Sequence, residues 1–204
     1  MKTKVGTPSS GKAKSSGTTA RDFIAKLNAM QSDVELEKIK RYFRSGEGDY
    51  GQGDKFMGVK MGNLFALSKK HLDMKSAEIA KLLDSPIHEV RAGGVSIMNQ
   101  KARIKKISEE ERKELFDLYI KKIRRINNWD LVDLGAGYVV GGYLFDKSRK
   151  ILYKMARSKN LWERRTAIVS TSFFIRKRET AETFAIAELL VNDAEDPTGV
   201  LHGP

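Results

Sequence analysis

The chain has 204 residues, no cysteine, and a formal net charge of +12 from 38 Lys+Arg against 26 Asp+Glu. That length suits one medium domain with a real core, and the missing thiols exclude disulfides, thiolate zinc sites and cysteine nucleophiles. The three histidines, His71, His88 and His202, are scattered, and no apolar run approaches the ~20 residues of a membrane span. No metal, cofactor or membrane is therefore expected. A monomer in the cytosol, associated with the nucleoid, is the expected state.

Residues 1–19, MKTKVGTPSSGKAKSSGTT, are almost free of apolar side chains and predict a disordered basic tail. The glycine-rich stretch SGEGDYGQGDKFMG, residues 45–58, predicts a long loop, and it has no Walker spacing. Ser85-Pro86 predicts a helix start with proline at the first position, followed by a stripe of Ile87, Val90, Ile97 and Met98. Ser108-Glu-Glu-Glu111 has capping-box spacing, and Leu115, Leu118, Tyr119, Ile123 and Ile126 follow on one face. Asn127-Asn128 precede Trp129 as a further helix start, and Asn160 caps the next. Thr180 is expected to open the last helix, with Phe184, Ala187 and Val191 at helical spacing.

Alternating β-branched segments are absent, and helix starts near 76, 109, 148 and 180 recur every ~32 to 39 residues. The expected fold is all-α, a curved α-solenoid of HEAT-like helix pairs. Its repeat domain is expected over residues 20–192, with an irregular tail over 193–204. Pro197 and Gly199 fall where the last pair needs a second helix. The final repeat is thus expected to be incomplete and to leave the Phe184 and Val191 face uncovered.

Charge is distributed unevenly. Lys147 to Arg178 contains eleven basic residues and one acid, Glu163, whereas six acids and no Lys or Arg follow from Glu179 onward. Such a basic block favours a polyanionic partner through counterion release, although a solvated helix surface has the same composition.

Within this frame, Trp129, Asp133, Ala136 and Val140 share one helical face at i, i+4, i+7 and i+11. Gly135, Gly137, Gly141 and Gly142 weaken that helix by roughly 1 kcal/mol each, which is tolerable where another backbone must approach closely. Trp162, Arg164 and Arg165 lie on a later helix, Trp162 being 33 residues after Trp129. Two indoles, one carboxylate and an arginine pair are thereby expected along one concave surface. Taken singly, Trp129 reads as core, Asp133 as either structural or functional, and Asp130 as a first-turn acid favoured by the helix dipole. Lys121, Lys122, Arg124 and Arg125 read as a solvated helix surface.

The pair WDLVD (129–133) and LWERRTAI (161–168) resembles the signature of the AlkD-like DNA alkylation repair family of HEAT-like alkylpurine DNA glycosylases. FRSGEGDYGQGDKFMGVK (43–60) is similar to that family's N-terminal pattern, and the likeness spans roughly residues 20 to 192. The resemblance implies excision of cationic N3- and N7-alkylated purines from duplex DNA without base flipping. It further implies that Asp133 is the catalytic carboxylate, Trp129 an aromatic packed on the lesion's deoxyribose, and Arg165 a holder of the DNA backbone. Trp162 and Arg164 accompany Arg165 as expected DNA contacts. The sequence departs from the family in one respect: no tryptophan follows Trp162, and VNDAEDPTGVLHGP (191–204) stands where the family has a further aromatic. A catalytically inactive helical-repeat module that binds nucleic acid or protein is the alternative.

Overall fold

The computed structural model describes residues 18–43 and 52–191. Most of the expected basic tail, half of the glycine stretch, and the expected C-terminal tail with Pro197 and Gly199 lie outside the described residues. Among those described the fold is all-α, a short solenoid of helix pairs. The helices are α1 (Ala20–Asn28), α2 (Asp33–Tyr42), α3 (Met61–Lys69), α4 (Ser76–Leu83), α5 (His88–Ala102) and α6 (Glu109–Lys121). After a 3-10 turn over Ile123–Arg125 follow α7 (Trp129–Gly135), a π-helical segment (Ala136–Gly141) and α8 (Gly142–Leu144). The chain continues with α9 (Lys150–Ala156), α10 (Leu161–Ser170), α11 (Ser172–Arg176) and α12 (Ala181–Leu190). None of the described helices is long and apolar enough to cross a membrane.

Local chemistry sets many of these boundaries. Ser32, Ser108 and Asn160 each accept a backbone N–H of the following turn with a side-chain oxygen, satisfying donors that the helix itself leaves unpaired. The observed starts at Ser76, Glu109, Lys150 and Ala181 reproduce the expected repeat. Helix α5 packs on α3, α4 and α7, and α10 packs on α7, α9 and α12, so α5, α7 and α10 form a continuous inner row.

Two expectations need correction. Helix α5 begins at His88, not at Pro86: Ile87 is extended because it bridges to Lys55, and the His88 N–H donates to the Lys55 carbonyl at 2.7 Å. A tertiary contact has overridden the preference of proline for the first helical turn. Nor does α5 carry a one-sided stripe. Nearly all of it from His88 to Ala102 is buried, as befits a central helix covered on every side. By contrast, α12 buries Ile186 and Leu190 but leaves Phe184 67% and Val191 64% exposed, the uncovered face the sequence implied.

The second correction concerns the face through Trp129, Asp133, Ala136 and Val140. Ala136 and Val140 are fully buried, while Asp133 is exposed and Trp129 half-buried. The helical phase breaks at Gly135, where the chain enters the π segment. One extra residue in the turn rotates everything downstream by about 100°. The glycines are what permit this: a Cβ on Gly141 would lie 2.1 Å from the Ser170 carbonyl oxygen of α10. Gly141→Ala is expected to destabilise the protein by about 1–3 kcal/mol, because backbone must separate from backbone. Gly142→Ala would meet only the Phe173 ring at 3.4 Å. It is expected to stabilise by up to ~1 kcal/mol through helix propensity. Opposite shifts of the two melting temperatures check this prediction.

Candidate functional site

Helix α7 is built at its N-terminus by Asn128, which is fully buried. Its Oδ1 accepts the Trp129 N–H at 2.8 Å, and its Nδ2 donates to Asp54 Oδ2 at 3.1 Å. Leu131, Val132 and Gly135 then point into the core, which turns Trp129 and Asp133 outward together. The Trp129 ring stacks on Phe43 with centroids 5.9 Å apart and meets Tyr42 at 5.8 Å. The indole is thus neither core nor loose: one aromatic wall fixes it, and it remains half-exposed.

Asp133 is held from α10. Arg165 Nε donates to Asp133 Oδ1 at 3.0 Å and Nη2 donates to Oδ2 at 2.8 Å, a fork gripping both oxygens. The two partners differ in setting, since the Arg165 side chain is 6% exposed and the carboxylate 39%. The carboxylate therefore presents its outer edge to solvent while its inner edge is fixed. Beneath it, Tyr119 Oη lies 3.3 Å from Thr166 Oγ1. Burial pushes the Tyr119 phenol far above its ordinary range, and the nearby Asp133 charge adds to the effect. Gly135 allows this stacking, because a Cβ there would lie 2.8 Å from both Tyr119 Cε2 and Val95 Cγ1.

Under Trp129 lies a cluster of charged groups that sequence reasoning missed. His88 is 1% exposed, with Nε2 2.8 Å from Asp130 Oδ2 and Nδ1 3.4 Å from Asp54 Oδ2. Arg91 Nη2 donates to Asp54 Oδ1 at 2.6 Å. Burial alone would lower the His88 pKa, but the Asp130 charge and hydrogen bond, with Asp54 behind them, raise it to about 9. Burial likewise opposes ionisation of Asp54, yet hydrogen bonding to His88 and the Arg91 charge hold it down to about 2. Asp130, read from sequence as a helix-dipole acid, is thus a partner of a buried imidazolium. Phe43 and Phe56 lie against the His88 ring at 4.8 and 5.1 Å, so cluster and aromatic wall form one support. The adjacent Glu89 accepts the Met57, Gly58 and Val59 N–H groups, clamping the end of the glycine stretch onto α5. The available signals were an Asp within that stretch, Asp54, and a lone His at the start of α5, His88, neither of which helical periodicity weighs.

The family described as DNA alkylation repair enzyme matches the chain over residues 23–198, a span that includes Trp129, Asp133 and Arg165. The chain belongs to the DNA alkylation repair enzyme family. No curated protein matches it.

Other residues expected at the DNA of this repair protein are placed differently from Asp133. Arg165, expected to hold the DNA backbone, has its guanidinium on Asp133 instead. Arg164 is buried and donates from Nη1 to the Ser158 carbonyl at 2.9 Å, which fixes the turn before its own helix. Trp162 is half-buried and packs against the core. Lys122 pairs with Asp84, and Arg125 donates to the Asp84 and Ser85 carbonyls, so half of that basic run ties α6 to α4. An open groove of about 590 Å³ has Leu134, the sequence neighbour of Asp133, in its wall and Lys69, Asn99, Gln100 and Arg103 among its polar lining.

Proposed function

We propose that this DNA alkylation repair protein is a monofunctional glycosylase that releases cationic N3- or N7-alkylated purines from duplex DNA without flipping the base. The observation carrying this reading is the outward carboxylate of Asp133, gripped from behind by Arg165 and standing one helical turn from the Trp129 indole. An alkylated purine already bears positive charge. When its glycosidic bond breaks, the electron pair stays on the purine nitrogen, and the base leaves neutral with no need of a general acid. The positive charge passes to the sugar as an oxocarbenium ion. A fixed carboxylate stabilises that ion and orients the attacking water, whose proton is released to solvent. An indole face adds an attraction of roughly 0.5–2 kcal/mol for a cationic centre. Arg165 in this scheme is a positioning residue: its fork fixes which carboxylate edge faces the sugar. The groove beside Leu134 is open, which suits a duplex lying across the surface better than an extruded base.

The test is a duplex carrying a single 7-methylguanine, incubated with the protein, with free base measured by chromatography. Release is expected from this duplex and not from an unmodified one. Duplex binding without any base release would overturn the glycosylase reading in favour of an inactive nucleic-acid-binding module.

A further inference from the structure

A second cleft lies on the same helical stretch, beyond Asp133. It has a volume of about 300 Å³, and its lining includes Arg103, Lys105, Tyr138, Phe173, Arg176 and Lys177. Tyr138 belongs to the π segment, whose extra residue gives its ring a different bearing from the one an unbroken helix would impose. The ring meets Phe173 edge-on at 5.6 Å and carries two guanidinium groups, Arg103 at 4.6 Å and Arg176 at 5.1 Å from its centroid. Lys177 sits 5.8 Å over the Phe173 ring.

Among the described residues no carboxylate lines this cleft. Among the described residues, ion pairs elsewhere take up Lys147, Arg149 and Arg165, but none involves Arg103, Lys105, Arg176 or Lys177. All four are exposed. These four exposed charges, with Arg112 as a fifth cation in the lining, repel each other around one small concavity, and an anion entering it relieves that repulsion. The aromatic pair gives the site definition: a guanidinium lying on a ring is held in orientation and weakly hydrated, and its N–H edge stays free for a phosphate oxygen. A neutral apolar ligand would leave the cations without partners, and a carboxylate on a folded partner lacks the repeated charge that several spaced cations match.

We propose that this cleft binds a phosphate of the duplex backbone, anchoring DNA at a point separate from the Asp133 carboxylate. It rests on the reading of duplex DNA as substrate, and it assigns the phosphate contacts to Arg103 and Arg176, with Lys105 and Lys177 at the rim. Contacts of this kind carry affinity and register but no information about the lesion.

The experiment is a titration of fluorescent duplex, with and without 7-methylguanine, at several salt concentrations, using the intact protein and the double variant Arg103→Ala/Arg176→Ala. Single-turnover base release at saturating protein is measured in parallel. The double variant should bind both duplexes more weakly by the same factor, with the salt slope shallower by about one unit per arginine. An unaltered slope and affinity would overturn the cleft while leaving the glycosylase reading intact. Binding that depends on the cleft without base release would do the reverse, and no duplex binding by the intact protein would defeat both. Should the arginine variant fail to fold, Lys105→Ala/Lys177→Ala carries the same test, since it leaves the Tyr138 stack untouched. Competition by inorganic phosphate alone, at concentrations matching the ionic-strength effect of chloride, should be weak. Strong competition would mark a site for a free anion and overturn the backbone assignment.

Discussion

Replacing Asp133 by asparagine is expected to slow release of 7-methylguanine by about two to three orders of magnitude, the loss seen when one preorganised electrostatic group is removed from a reacting centre. The substitution keeps the shape and removes the charge. It also leaves Arg165 nearly buried with a neutral neighbour whose amide presents N–H groups to the guanidinium. A destabilisation of roughly 1–3 kcal/mol should accompany the rate loss, so rates are compared well below both melting transitions. Duplex affinity should hold or rise slightly, since a negative charge has left the surface proposed to face DNA. The companion variant Arg165→Lys separates the two roles open to Arg165. A lysine keeps the charge but loses the fork, so release should slow while affinity and salt slope stay put. If Arg165→Lys instead weakens binding and flattens the salt slope, the arginine contacts phosphate and the positioning role is wrong. A fast Asp133→Asn enzyme would remove the carboxylate from the mechanism altogether.

What could be read from the sequence was whatever depends on short range. Ser108, Asn128 and Asn160 announce their helices because a side-chain oxygen reaches an N–H within three residues. Trp129 and Asp133 could be paired because a turn of helix separates them, and the repeat length followed from the starts. The grip on Asp133 was less legible. It comes from Arg165, 32 positions away, which the sequence set on the same concave surface as Asp133 and, by resemblance, on the DNA backbone, with nothing local to tie it to that carboxylate. The His88–Asp130 contact spans 42 positions and the Asn128–Asp54 contact 74, so no local pattern encodes either. The glycines from Gly135 to Gly142 did signal close approach, yet not that the helix would widen into a π segment and bury Ala136 and Val140. That outcome depends on where the Ser170 carbonyl sits, a property of the packed pair of helices. The basic block from Lys147 to Arg178 shows the same limit. Its charge favoured a polyanionic partner, but Lys147, Arg149 and Arg165 are taken up by Glu109, Glu179, Glu182 and Asp133. Arg176 and Lys177 of the same block are exposed and join Arg103 and Lys105, from another repeat, around one cleft.

His88→Gln should destabilise the protein by about 3–5 kcal/mol, because it leaves Asp130 and Asp54 without the buried cation between them. Arg91 remains beside Asp54, so Asp130 is the more exposed to this loss. The same cluster dictates a pH dependence whose sign is fixed. The His88 pKa rises from 6.5 to about 9 on folding. Its contribution is thus fully present below pH 6.5 and is lost as pH climbs through 9, a change on the order of 3 kcal/mol. Asp54 behaves oppositely at the acid end: lowered from 3.8 to about 2, it supports the fold above pH 3.8 and ceases to do so as pH falls toward 2. Urea unfolding of the parent at pH 6, 7, 8 and 9 should show a declining midpoint, and His88→Gln should show a flat one. A parent equally stable at pH 6 and 9 would mean that the imidazole is neutral and the cluster is organised by Arg91 alone. The functional consequence follows from position. Asp130 adjoins Trp129 in sequence, Asn128 caps the helix from its contact with Asp54, and Phe43 touches both the His88 and Trp129 rings. Deprotonating His88 therefore loosens the support of the indole and the first turn of α7, while the Arg165 grip on Asp133 has no contact with the cluster. Base release should decline above pH 8 before the protein unfolds, and the decline should be absent from His88→Gln assayed at a temperature where that variant is folded.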